Sequence, residues 1–144
     1  MEKPVLKEYR GNFTVTFGPY RTRVIFGKPT SGIASFNANI FLGKKSMAWL
    51  EGCTVADGTI ARLNNIYAEE GISRTQGLRA IGAMLHCFEP VLRKKGVKKA
   101  MARTHGTFSR FMARFGYKET ARAQTARDVE KQPSRKAIVP RFLQ

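Results

Sequence analysis

A chain of 144 residues can bury a single hydrophobic core without disulfides or a structural metal, and 42% apolar residues with ten phenylalanines exclude an unfolded polyelectrolyte. Lysine and arginine number 26 against 10 acids, a net charge of +16, so polyanions come first among partners: nucleic acid, nucleotide phosphates or anionic lipid. Two cysteines, Cys53 and Cys87, are too few and too far apart for a zinc motif and point to a reducing compartment.

No apolar signal core follows Met1, and no run approaches the ~20 residues that span a bilayer. The expectation is a soluble cytoplasmic protein, or one packaged in a virion assembled there, with no membrane partner. The acids are unevenly placed: none falls between Glu8 and Glu51 or between Glu89 and Glu119, while Lys and Arg occur throughout both stretches. Each stretch should carry a positive field where it reaches the surface.

After a polar opening over residues 1–11, "NFTVTF" alternates Phe13, Val15 and Phe17 with Thr14 and Thr16, the period of a half-buried strand. Gly18-Pro19 is a turn, and residues 22–27 form the hairpin partner. Segments 33–42, 46–55 and 59–69 continue a five-strand meander, separated by Gly43-Lys44-Lys45 and by a break holding the hairpin dipeptide Asp57-Gly58.

The period then changes. Leu78, Ile81, Leu85, Phe88 and Leu92 recur at three and four residues, one face of a long helix. Lys94 and Lys95 suit its C-terminal dipole and Gly96 its left-handed stop, while Pro90 should bend its last turns. Residues 97–103 read as a short strand and 108–115 as a helix with Phe108, Phe111, Met112 and Phe115 on one face. A last strand begins at 117–120. From Ala121 to Gln144 the pattern dissolves into a basic tail, whose end, "AIVPRFL", is apolar enough to dock on the parent domain or a partner. The organisation expected is a domain over 1–120 and a tail over 121–144.

The start of the long helix holds the first functional signal. Helix starts leave backbone N–H groups unpaired and carry partial positive charge, which suits an anion. Arg74 and Arg79 add fork-shaped donors fitted to a pyrophosphate, and Gly77 lacks the Cβ that would obstruct approach. The plainer reading is a tight turn with solvated arginines.

The succession from about Thr59 to Thr120 resembles the GNAT superfamily of acyl-CoA-dependent N-acyltransferases: strand, Arg-x-x-Gly loop, long helix, short strand, aromatic-rich short helix, Gly-aromatic, strand. The family's pyrophosphate loop, Gln/Arg-x-x-Gly-x-Gly/Ala, is similar to Arg74-Thr75-Gln76-Gly77-Leu78-Arg79, with Arg79 departing from the small residue. Phe115-Gly116-Tyr117 resembles the family's Leu-Gly-Phe/Tyr ending. The resemblance implies an α/β (α+β) fold with a mixed, mainly antiparallel sheet flanked by helices. It also implies acetyl-CoA as cofactor, held by Ile72, Arg74, Thr75, Gln76, Gly77, Leu78 and Arg79.

The same resemblance exposes departures. Met112 stands where the family commonly has a proton-donating tyrosine, and the strand before the loop has no acid until Glu69 and Glu70. His105 stands where the family often has an asparagine. Glu69, Glu70 and His105 are the candidate acids and bases. Each also has a plainer role, His105 at a helix start and the glutamates offsetting nearby arginines. Cys87 lies next to the packed helix face with nothing to activate it.

Two functions follow: an N-acyltransferase with a degenerate site working by positioning, or a non-catalytic GNAT-like binding or structural protein that neutralises nucleic-acid phosphates. Small basic proteins of this kind are similar to some encoded by tailed bacteriophages. No helix-turn-helix, zinc spacing or aromatic RNA-binding motif is present, so nucleic-acid binding would be backbone-led.

Overall fold

The computed structural model describes residues 3–105, 107–123 and 126–133. Among them, nine strands form one sheet in the order β1-β2-β3-β4-β5-β6-β7-β9-β8. Strands β1 (Val5–Tyr9), β2 (Asn12–Phe17), β3 (Tyr20–Phe26), β4 (Ala34–Leu42), β5 (Lys45–Val55) and β6 (Ile60–Ala68) form an antiparallel meander. Helix α1 (Arg74–Lys94) crosses to β7 (Lys99–His105), which is parallel to β6. After α2 (Phe108–Ala113) come β8 (Lys118–Ala123) and β9 (Ala126–Lys131), with β9 inserted antiparallel between β7 and β8.

One face of the sheet is the core. Alternating residues Phe13, Val15, Val24, Phe36, Ala38, Ile40, Leu50 and Leu63 are buried against α1 through Ile81, Met84, Leu85, Phe88 and Leu92. Helix α2 lies on that side too, since buried Thr104, in phase with Ala100 and Ala102, meets Ser109 of α2 at 2.6 Å. No helix among the described residues packs on the other face, and none is long and apolar enough to cross a membrane.

Three differences from the sequence reading have local causes. Val5–Tyr9 is a strand despite its polarity, because only Leu6 packs against the core while Val5, Lys7 and Tyr9 face outward. Strand β7 begins two residues later than expected, because Val97 closes the helix by donating its N–H to Leu92 O at 2.9 Å beside left-handed Gly96. The strand also ends two residues later than expected, at His105, three residues before α2 begins.

The segment read as a tail extends the sheet: β8 runs to Ala123, and residues 126–131 pair with β7 from Ala100↔Lys131 to His105↔Ala126. Its basic residues hid this because they are paired. Arg127 lies 3.8 Å from Glu119, and Lys131 reaches Glu89 of α1 at 2.9 Å and donates also to Phe115 O. The "AIVPRFL" end lies outside the described residues. The helix runs through Pro90 to Lys94.

Candidate active site

The parallel pair β6/β7 is joined only from Ile60↔Lys99 to Leu63↔Ala102, although β6 continues to Ala68 and β7 to His105. The local cause is a bulge. Glu51 pairs with Asn65 and Gly52 with Leu63, leaving Asn64 as an extra residue on β6. A bulge bends and twists its strand and ends regular pairing, and β6 and β7 part at this point. Gly52 permits the close approach: a Cβ there would lie 1.9 Å from Arg62 O and 2.7 Å from the Phe36 ring.

The divergence opens a cleft toward the carboxyl ends of both strands, where open α/β sheets take ligands. Its volume is about 260 Å³ between Asn64, Asn65 and Ile66 on one wall and Arg103, Thr104 and His105 on the other, with Phe108 at its edge. A groove of about 420 Å³ continues from it past Arg62, Met101 and Asp128.

Helix α1 starts at this same end of the sheet, six residues after β6 stops. Ser73 caps it, accepting the Gln76 N–H at 3.2 Å, while Gly77 donates to Ser73 O. Helix geometry leaves the N–H groups of Arg74 and Thr75 without intrahelical acceptors. No acid occupies the first turn, and Arg74, Thr75, Gln76 and Arg79 are exposed. Arg79 does not line the cleft. These groups fit a polyphosphate.

Gly77 itself is buried, and a Cβ there would meet Ala68 Cβ at 3.0 Å. It lets the first turn pack on the end of β6, so the groups open to an approaching ligand are its exposed neighbours Arg74, Thr75 and Gln76. Ile72 and Leu78 are partly buried, Ile72 packing on the core.

The three candidate acids and bases separate. His105 is on the cleft wall. Glu69 is engaged on the open face, accepting from Trp49 Nε1–H and, at 3.3 Å, from Ser46 Oγ–H, which in turn accepts from Asn39 at 2.8 Å. Glu70 is exposed in the turn before α1. Beside Glu69, exposed Tyr67 donates to Glu51 Oε1 at 3.0 Å, and that bond to a carboxylate raises its pKa.

Asn64 and the Glu51–Tyr67 pair carry no signal in the sequence around them; the cue to the bulge is Gly52, on the partner strand. Met112 is fully buried and supplies no proton. Tyr117 is buried too, and desolvation, with nearby Glu89, holds its phenol protonated. Burial pushes the Cys87 thiol up to about 12, which removes it as a nucleophile. Among the described residues no group of three His, Cys, Asp or Glu could hold a metal ion.

No family sequence model matches the chain, and no curated protein matches it by sequence. Solved structures do match. Ard1 from Thermoplasma volcanium aligns with a TM-score of 0.55 at 15% identity, over 67% of this chain and 69% of that one. The fold is that of the GNAT N-acetyltransferases. A putative N-acetyltransferase from Lactobacillus plantarum aligns at 0.59 and 19% identity, over 69% of this chain and 70% of that one. PaiA N-acetyltransferase from Thermoplasma acidophilum, solved with coenzyme A, aligns at 0.53 and 18%, over 69% and 60%. The GNAT fold expected from the Arg74–Gly77 spacing and Phe115-Gly116-Tyr117 is thus present.

Proposed function

We propose that the protein is an acetyl-CoA-dependent N-acyltransferase with a reduced catalytic set. The observation that carries this reading is the joint placement of the β6/β7 cleft and the acid-free start of α1 at one end of the sheet. The Arg74 and Thr75 N–H groups with the Arg74 and Arg79 guanidiniums would hold the pyrophosphate, and the walls at Asn64–Ile66 and Arg103–His105 the pantetheine arm. When bound, the cofactor supplies an activated acyl thioester.

The protein's share is to orient an amine at the cleft mouth and accept its proton. His105 is the group in the cleft suited to that proton, and positioning supplies the remaining rate. Buried Met112 favours a second reading, a GNAT domain kept for binding alone.

Calorimetric titration of acetyl-CoA at moderate and high salt tests the assignment, with Arg74→Glu/Arg79→Glu as control; both residues are exposed, so the variant should fold. Saturable binding that persists in salt and weakens at least tenfold in the variant supports the cofactor site. Absence of such binding overturns it. With binding established, loss of turnover in His105→Ala across an amine screen separates the enzyme from the binding module.

A further inference from the structure

The helix-free face of β1–β4 carries a charge pattern that the acyltransferase reading does not use. Its charged residues are Lys7, Arg21 and Arg23, all exposed, and no carboxylate forms an ion pair with any of them among the described residues. The ion pairs that do form engage Glu89, Glu119, Asp128 and Glu130, on α1 and at the β8–β9 end. Those four acids are thus engaged far from this face, within a chain of net charge +16. Glu51 on β5 and Glu69 at the end of β6, the carboxylates beside it, accept hydrogen bonds from Tyr67, Trp49 and Ser46 and, among the described residues, pair with none of the three cations.

The cations are fixed by the sheet. Lys7 and Arg23 flank Thr14 in one cross-strand row, about 10 Å apart at ordinary strand spacing, and Arg21 lies about 7 Å along β3 from Arg23. Arg21 packs over the Phe41 ring at 5.1 Å, which orients its guanidinium. Between them stand hydroxyls of Thr14 and Thr16, and at the edge Tyr9 is 72% exposed with Arg10 over its ring.

We propose that this face binds single-stranded nucleic acid through its phosphates, without reading sequence. Unpaired cations interleaved with an exposed aromatic ring are what a strand with free bases requires: phosphates meet Lys7, Arg21 and Arg23, and a base stacks on Tyr9. Like charge disfavours a second copy of the same face, and the hydroxyl rows disfavour insertion into lipid. The proposal does not rest on the acyltransferase assignment.

The test is fluorescence anisotropy with a labelled 20-nucleotide oligothymidine across a salt series. Lys7→Gln/Arg21→Gln/Arg23→Gln is compared with Lys94→Gln/Lys98→Gln/Arg110→Gln, which removes equal charge elsewhere. Each phosphate contact contributes about −0.7 to the log–log salt slope, so the face variant should lower the slope by about 2. It should also bind at least tenfold more weakly at low salt, with the second variant within about threefold of the parent. Arg21→Lys/Arg23→Lys should retain the parental slope, which separates lost contacts from misfolding. Equal loss in both neutralised variants, no binding, or variant-dependent capture by anionic vesicles or dimerisation in place of oligonucleotide binding would overturn the proposal.

Discussion

Replacing Lys131 with methionine tests whether the residues after Thr120 are part of the folded unit. The Lys131 side chain is 9% exposed and its Glu89 partner 7%, their charged atoms 2.9 Å apart, and Lys131 also satisfies Phe115 O. Methionine fills similar volume but, among the described residues, leaves Glu89 an ion pair with Arg93 alone, at 3.8 Å. Breaking a buried pair from one side costs about 3–5 kcal/mol, and the remaining arginine argues for the lower end, about 3 kcal/mol. Unfolding entropy near 2.1 cal/mol/K per residue over 144 residues turns this into a fall in Tm of roughly 10 °C. Thermal and urea unfolding followed by circular dichroism at pH 7 measures it. Adding Glu89→Leu should recover most of the loss, since the stranded carboxylate is its cause. A Lys131→Met variant within about 0.5 kcal/mol of the parent would refute the reasoning and return 121–133 to the status of a tail.

Three further outcomes are expected. Gly52→Ala should destabilise by about 1–3 kcal/mol, as overpacking against backbone does; the added Cβ meets Arg62 O and Phe36, and urea midpoints will measure the effect. Burial lowers the His86 pKa below its ordinary 6.5, partly opposed by Glu89, so the unfolded chain binds a proton that the folded one refuses. The associated stability is complete above about 6.5 and is lost as pH falls from there toward the folded value; His86→Leu should flatten unfolding free energy between pH 7 and 5. The Arg103 guanidinium, bonded to Asp128 at 2.8 Å, holds that carboxyl below its ordinary range; NMR titration of Arg103→Gln should show it rising toward that range.

The elements with strong period were legible in the sequence. Phe13–Val15–Phe17 and Leu78–Ile81–Leu85 announce a strand and a helix because one face of each is apolar and the other wet. Val5–Tyr9 was not legible, since an edge strand with one core residue has no period. The β9 strand was hidden by charge: Arg127 and Lys131 look solvated until their partners, Glu119 across the β8–β9 hairpin and Glu89 on α1, are brought alongside. The loop at Arg74 is legible from its residue types, but nothing in them shows that the missing Cβ of Gly77 makes room for Ala68. Nothing local marks Asn64 as a bulge, because a bulge is a mismatch between two strands and belongs to neither alone.

That mismatch links the fold to the cleft. Once Asn64 turns β6 away, β7 loses its partner on that side from Arg103 onward, and an unsupported strand end would fray or close the gap. What holds it open is β9, paired with β7 through Arg103↔Asp128, Thr104↔Arg127 and His105↔Ala126 along the length that forms the cleft wall. Lys131 in turn ties β9 to α1, the helix whose first turn faces the same end of the sheet. The basic segment after Thr120 therefore has a structural duty: it keeps the other edge of β7 hydrogen-bonded along the length where β6 has parted from it. If the proposed cofactor site is correct, loosening Lys131 should weaken acetyl-CoA binding as well as stability, at temperatures well below Tm where the protein remains folded. A Lys131→Met variant that loses stability yet titrates acetyl-CoA like the parent at 10 °C would show that β7 keeps its place without β9.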